Sequence, residues 1–232
     1  NFSNDDFNLY EKHWQNWLTK RIYPIGDNKR LVNFIRDWCK LGKASVMLHG
    51  INHNINEMTQ NKNFETIIYD AKKYLEKIFD INIQVASPPN NSLGVKAVRG
   101  LYKNNFNILT SFGHYPNERP LSIFNLYNFL CLLKLYLTKG KKFRLLKPLN
   151  FRTHYEQPCY GLGPNTSFED LMNGLHYSIK NGGNFVVATH YYHLYQNKSL
   201  LKDLKKLINF AVKCDMGTIQ FVKANKLFKE LK

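Results

Sequence analysis

Two histidines, His49 and His53, stand four residues apart in the segment LHGINH. If the chain turns helically there, both imidazoles face one point. Two aspartates, Asp5 and Asp6, sit side by side near the start, and His190 follows the apolar run FVVAT. Two imidazoles and one carboxylate make a three-ligand set that leaves open positions for water and substrate. A metal held that way can activate water and polarise a carbonyl. The second aspartate would then be available to take a proton from the water. Each pair also has a plainer reading. A His-x-x-x-His spacing arises by chance among structural histidines, and Asp5-Asp6 can cap a helix that starts near Leu9. The helix-borne HExxH pattern is absent.

The elements that must position these residues alternate between short apolar runs and amphipathic stretches. Helices are expected over Leu9–Lys20, Leu31–Leu41, Phe64–Phe79, Val95–Tyr102, Leu121–Leu137, Ser167–Lys180 and Leu200–Val212. Strands are expected over Ala44–Leu48, Ile81–Ala86, Asn107–Ser111, Phe185–Thr189 and Thr218–Phe221, before a basic C-terminal helix. Lys141–Phe151 is expected to form a hairpin or an extended excursion, and the stretch NFRTHYE that follows reads as irregular. Strands alternating with helices argue for a parallel sheet, closed into a barrel or open and doubly wound. Asp5-Asp6, His49, Pro88-Pro89-Asn90, His114 and His190 all fall just after expected strands. In a barrel those positions share one face, where barrel chemistry happens.

Composition narrows the classes. The chain has 232 residues, with 44% hydrophobic and 14% aromatic. That is enough apolar material for a packed domain, so wholesale disorder is excluded. The longest apolar stretch, Leu126 to Leu137, is interrupted by Lys134 and too short for a bilayer. The numbering starts at Asn1, so we expect a start inside a longer protein or after processing, with no signal peptide in view. Cys39, Cys131, Cys159 and Cys214 are far apart and fit reduced thiols in the cytoplasm; zinc fingers are excluded. Thirty-three Lys and Arg against 17 acidic residues give a net charge of +16. Such a chain attracts polyanions: nucleic acid, acidic glycans or anionic lipid headgroups. The basic residues cluster at Lys139–Lys147 and over 198–232, which carries nine lysines.

Taken in order, SNDDF, LHGINH, ASPPN and VVATH resemble the polysaccharide deacetylases of carbohydrate esterase family 4, the NodB-homology family. The resemblance runs over roughly residues 1–195. It implies an α/β fold, a distorted TIM-like (β/α) barrel, with residues 1–232 as one catalytic domain. It implies a hydrolase that removes N-acetyl groups from a sugar or polysaccharide with a divalent metal, most commonly Zn2+. Position by position, Asp5 matches the catalytic base and Asp6, His49 and His53 match the metal ligands. His190 matches the general acid, with His193 a second candidate. A backbone N–H near Pro89-Asn90 would meet the oxyanion, and His114 and Arg152 are further candidates for substrate contact. The chain departs from the family in having Ser3-Asn4 before the aspartates and Phe7 after them. Ala86-Ser87 stands where the third motif carries an Arg that orients the base; Arg152 or Arg99 are the replacements considered.

The implied partner is an N-acetylated sugar or glycan, anionic or lipid-linked. The implied location is cytoplasmic, or peripheral at the inner membrane surface. Two other classes are carried alongside. One is an inactive barrel that binds glycan, motivated by the missing Arg. The other is a nucleic-acid-binding protein, motivated by charge, though no reading module is present and the histidines would have no role. A non-haem iron site would use the same ligands without explaining Asp5. A zinc nucleobase deaminase needs a second cysteine after Pro158-Cys159 that is not there. His13, His176 and the tryptophans Trp14, Trp17 and Trp38 read as structural, the tryptophans as core.

Overall fold

The computed structural model describes residues 24–51, 57–60, 62–89, 93–111, 148–164, 166–214 and 219–231. Asp5, Asp6, His53, Asn90, His114, Cys131, the expected helices 9–20 and 121–137, and the basic cluster at 139–147 lie outside these residues.

Among the described residues five strands carry the sheet: β1 (Val85–Ala86), β2 (Asn107–Ser111), β3 (Leu149–Asn150), β4 (Tyr155–Leu162) and β5 (Val187–Thr189). β1 runs parallel to β2, β2 to β4, and β4 to β5; β3 runs antiparallel against the start of β4. Leu48 extends the parallel set by a single bridge to Ala86. The four parallel strands curl into a half-barrel, and among the described residues the sheet does not close into a full barrel. No helix among the described residues is long and apolar enough to cross a membrane.

The helices are α1 (Lys29–Lys40), α2 (Phe64–Phe79), α3 (Val95–Lys103), α4 (Phe168–Asn181), α5 (Tyr191–Gln196) and α6 (Lys198–Lys213). Their ends follow capping chemistry. Ser167 accepts from the Asp170 N–H at 3.4 Å to start α4, and Asn28 accepts from Leu31 to start α1. Asp80 closes α2 in the left-handed conformation. One core layer packs Phe64 and Ile68 of α2, with Ala97, Val98 and Leu101 of α3, against Leu48, Ala86 and Ile108 of the sheet. The second packs Leu171 and Leu175 of α4 and Leu200 and Leu207 of α6 against Tyr160 and Leu162 of β4. Each buried Leu, Ile, Val or Phe side chain in these layers is worth about 1.5–3 kcal/mol. The α2–α3 crossing is tight at Gly100, where a Cβ would lie 2.8 Å from the Phe64 backbone.

Several expectations need correction. Ala44–Leu48 contributes only the Leu48 bridge, and Ile81–Ala86 shortens to the two residues of β1. Residues 219–223 form no strand, and the terminal helix is a 3-10 helix over Ala224–Leu231. The stretch NFRTHYE is irregular only over residues 151–154: Asn150 ends β3, and Tyr155 and Glu156 begin β4, the strand on which both halves of the sheet depend. Trp38 is not core: it is 43% exposed, with the Lys43 ammonium 5.8 Å from its ring centroid.

Candidate active-site edge

Because the strands run parallel, their C-terminal ends share one edge. Leu48 leads into His49, Ala86 into Ser87-Pro88-Pro89, Leu162 into Gly163, and Thr189 into His190. Of the positions singled out in the sequence, His49, Pro88-Pro89 and His190 are thus collected along a single edge.

At one end of that edge, Leu48 is stitched to β1 by its N–H to the Val85 carbonyl (3.1 Å) and by the Ser87 N–H to its own carbonyl (2.8 Å). His49 follows, exposed, with Nδ1 2.7 Å from the Ser87 carbonyl oxygen. A carbonyl only accepts, so Nδ1 carries the proton and Nε2 is the lone-pair nitrogen of the neutral ring. Gly50 is left-handed at φ +78°, and a Cβ there would lie 2.5 Å from Pro89 Cγ and 2.9 Å from Glu57 Oε2. Only glycine lets the chain turn this close to the buried Pro89.

Glu57 is the residue that sequence reasoning missed. It is 8% exposed, sits on a 3-10 turn (Glu57–Thr59), and accepts from the Ile51 N–H at 2.7 Å through Oε1. Its carboxylate therefore holds the backbone at Ile51, two residues after His49. Nothing in the sequence marks it, because the contact depends on how the chain returns after position 56.

At the other end, His190 is exposed and N-caps α5, and His193 lies one turn on. Their rings meet edge to face, 5.4 Å between centroids. Burial pushes the His193 imidazole below its usual range. His193 also reaches the residue after β4: its Nδ1 lies 3.8 Å from where a Gly163 Cβ would be. The Thr189 hydroxyl donates to the Leu162 carbonyl at 2.8 Å and locks the end of β5 to β4.

Arg152 is not on this edge. It occupies a left-handed turn (φ +68°) between β3 and β4, with its N–H donating to Asn150 Oδ1. That turn precedes β4 and so lies at the opposite end of the strand from Gly163. The expected substrate contact and replacement guanidinium both require the other edge. Arg99 lies within α3. His154, beside that turn, is buried against Glu156 with Nε2 2.8 Å from Oε1, and stacks on Phe151.

The donor chemistry at His49 suits a divalent metal. An imidazole whose Nδ1–H is fixed by a carbonyl presents Nε2 as a ligand, with tautomer and ring orientation set by its backing group. Among the described residues no three His, Cys, Asp or Glu groups converge, and the other two candidate ligands, Asp6 and His53, lie outside them.

No family model matches the chain, and no curated protein matches it. Among solved structures it is distantly similar to the Xyl-CE4 domain of a multidomain xylanase from the hindgut metagenome of Trinervitermes trinervoides. The TM-score is 0.43 at 10% identity, over 89% of this chain and 75% of that one.

Proposed function

We propose that residues 1–232 act as one metal-dependent hydrolase domain that removes N-acetyl groups from a sugar or glycan. The observation that supports this reading is the shared C-terminal edge: His49 follows the parallel bridge at Leu48, and Pro88-Pro89 and His190 follow the parallel strands β1 and β5 of the same sheet. Edge positions of this kind carry the chemistry of barrel folds.

In this reading Asp6, His49 and His53 hold a divalent cation, zinc first. When bound, the cation supplies Lewis acidity, which polarises the acetamide carbonyl and acidifies a water. Asp5 takes the proton from the attacking water. The Ser87 carbonyl fixes the His49 ring for its role as ligand. The Asn90 N–H meets the developing oxyanion, since Pro89 has no N–H to offer. His190 delivers the proton without which the amine leaves poorly. His193 is the weaker acid candidate, because burial keeps it neutral over more of the pH range.

The test is acetate release from N-acetylated oligosaccharides by the zinc-supplied chain, against Asp5→Asn and His190→Ala. Release by the parent and its loss in both variants is the expected result. A parent that binds zinc and glycan without releasing acetate is an inactive binder. A parent that takes up no metal sinks the hydrolytic mechanism.

A further inference from the structure

α1 has more apolar surface than the domain covers. Its inner side is anchored by buried Val32 and Cys39 and by Arg36, whose Nε donates to the Ile78 carbonyl at 2.6 Å. Leu31, Phe34, Trp38 and Leu41 recur at steps of three and four and so form a second stripe, beside the anchored side. That stripe faces outward: Phe34 is 56% exposed, Trp38 43% and Leu41 66%. Phe34 and Trp38 pack on each other, 5.6 Å between ring centroids.

The C-terminal segment enlarges the patch. Lys223 Nζ lies 3.3 Å from the Cys39 carbonyl, which brings Phe221 (68% exposed) and Val222 beside the end of α1. The charges around the patch are of one dominant sign. Lys40 ends the helix, Lys43 sits over Trp38, and Lys223 runs past Gly42; Asp37 is the one acidic residue of α1. An aromatic and aliphatic stripe bordered by lysines is the chemistry of a helix lying in a lipid headgroup layer. The chain's +16 charge adds long-range attraction to an anionic surface.

We propose that this face, α1 with Phe221 and Val222, docks the chain on an anionic lipid bilayer. The apolar stripe enters the headgroup layer and the lysines pair with lipid phosphates. The C-terminal end of α1, at Cys39, adjoins Ala44, Ser45, Ile81 and Asn82 around one small cavity. These residues precede Leu48 and β1, so the docking face borders the N-terminal edge of the sheet. The edge carrying His49 and His190 is left open, and docking is separable from the chemistry proposed above.

The test is co-sedimentation of the full chain with phosphatidylcholine vesicles, with and without phosphatidylglycerol. Binding to the anionic vesicles alone, weakening with salt, is expected. The triple variant Phe34→Ser, Trp38→Ser, Leu41→Ser should bind at least about tenfold more weakly, and Lys40→Glu with Lys43→Glu should weaken binding comparably. All three serines replace exposed side chains, and a thermal melt checks that the fold is kept. Failure of the parent to bind anionic vesicles overturns the proposal. So does unchanged binding of the triple variant, which would assign attraction to net charge alone. A parent dimer that the triple variant dissolves, seen by sedimentation velocity without lipid binding, gives the face to a second copy and overturns it too. Zinc uptake and acetate release of the triple variant, measured without vesicles, report separately on the proposed chemistry.

Discussion

The Nδ1–H of His49 donates to the carbonyl oxygen of Ser87 across 2.7 Å, joining the residue after the Leu48 bridge to the residue after β1. The bond ties the direction of the imidazole to the Leu48–β1 pairing. His49→Ala removes the proposed ligand without removing core contacts, since the ring is exposed. Zinc affinity should fall by at least the roughly 10–100-fold that even an outer-shell partner is worth. Stability should stay within about 0.5 kcal/mol. Competition titration with a chelating dye and a urea melt measure the two. Undiminished zinc binding would remove His49 from the ligand set.

Gly50 and Gly161 make a matched pair of tests. Gly50→Ala places a Cβ 2.5 Å from Pro89 Cγ in a left-handed backbone, so the loop carrying His49 must move. The expected cost is about 3 kcal/mol, combining backbone strain with the clash. Gly161→Ala in β4 meets nothing within 4 Å and should be neutral within about 0.5 kcal/mol. Urea unfolding of both variants checks this, and equal costs would show that Gly50 is not sterically required.

The sequence was most legible where one residue type decided the local structure. NILTS forms β2 over the expected residues, and Ser167 caps α4 as its position before Asp170 suggests. It misled at β4, whose segment YEQPCYGL carries polar residues and a proline. The polar groups satisfy one another out of sight of any periodicity. Gln157, fully buried, accepts from the Asn184 amide at 3.0 Å and donates to the Pro158 carbonyl, while Glu156 pairs with His154. Pro158 is tolerated because the Tyr160 N–H points to Val186. By the two-residue alternation, position 158 points the same way, before the pairing with β5 begins at Tyr160. At the proposed site, strand ends were legible from apolar runs stopped by His or Pro. Glu57 was not, because tertiary return of the chain creates its role. Trp38 misled for the opposite reason: helical spacing marks an apolar face, and spacing does not say whether the domain covers it.

The His154–Glu156 contact should be strongly coupled. Both side chains are 3% exposed, so removing either leaves a polar group in the interior. Glu156→Ala and His154→Ala are each expected to cost about 3–5 kcal/mol. The double variant should cost clearly less than their sum, by about 1–3 kcal/mol of coupling. A double-mutant cycle by urea unfolding measures it, and simple additivity would mean that the two groups do not depend on one another.

His193 gives the fold a signed dependence on pH. Burial lowers its pKa below the usual 6.5, so the unfolded chain holds the proton more tightly than the folded one. Stability from this group is therefore complete above about pH 6.5. It is lost as the pH falls through that value toward the lower folded one. Melting temperatures of the parent should drop across this window, and those of His193→Gln should drop less. An equal drop in both would place the acid sensitivity elsewhere. The same variant separates the two candidate acids at the end of β5. With His190 as proton donor, the alkaline limb of acetate release persists in His193→Gln and disappears in His190→Gln. The reverse pattern would move the donor to His193 and leave His190 as its edge-to-face neighbour.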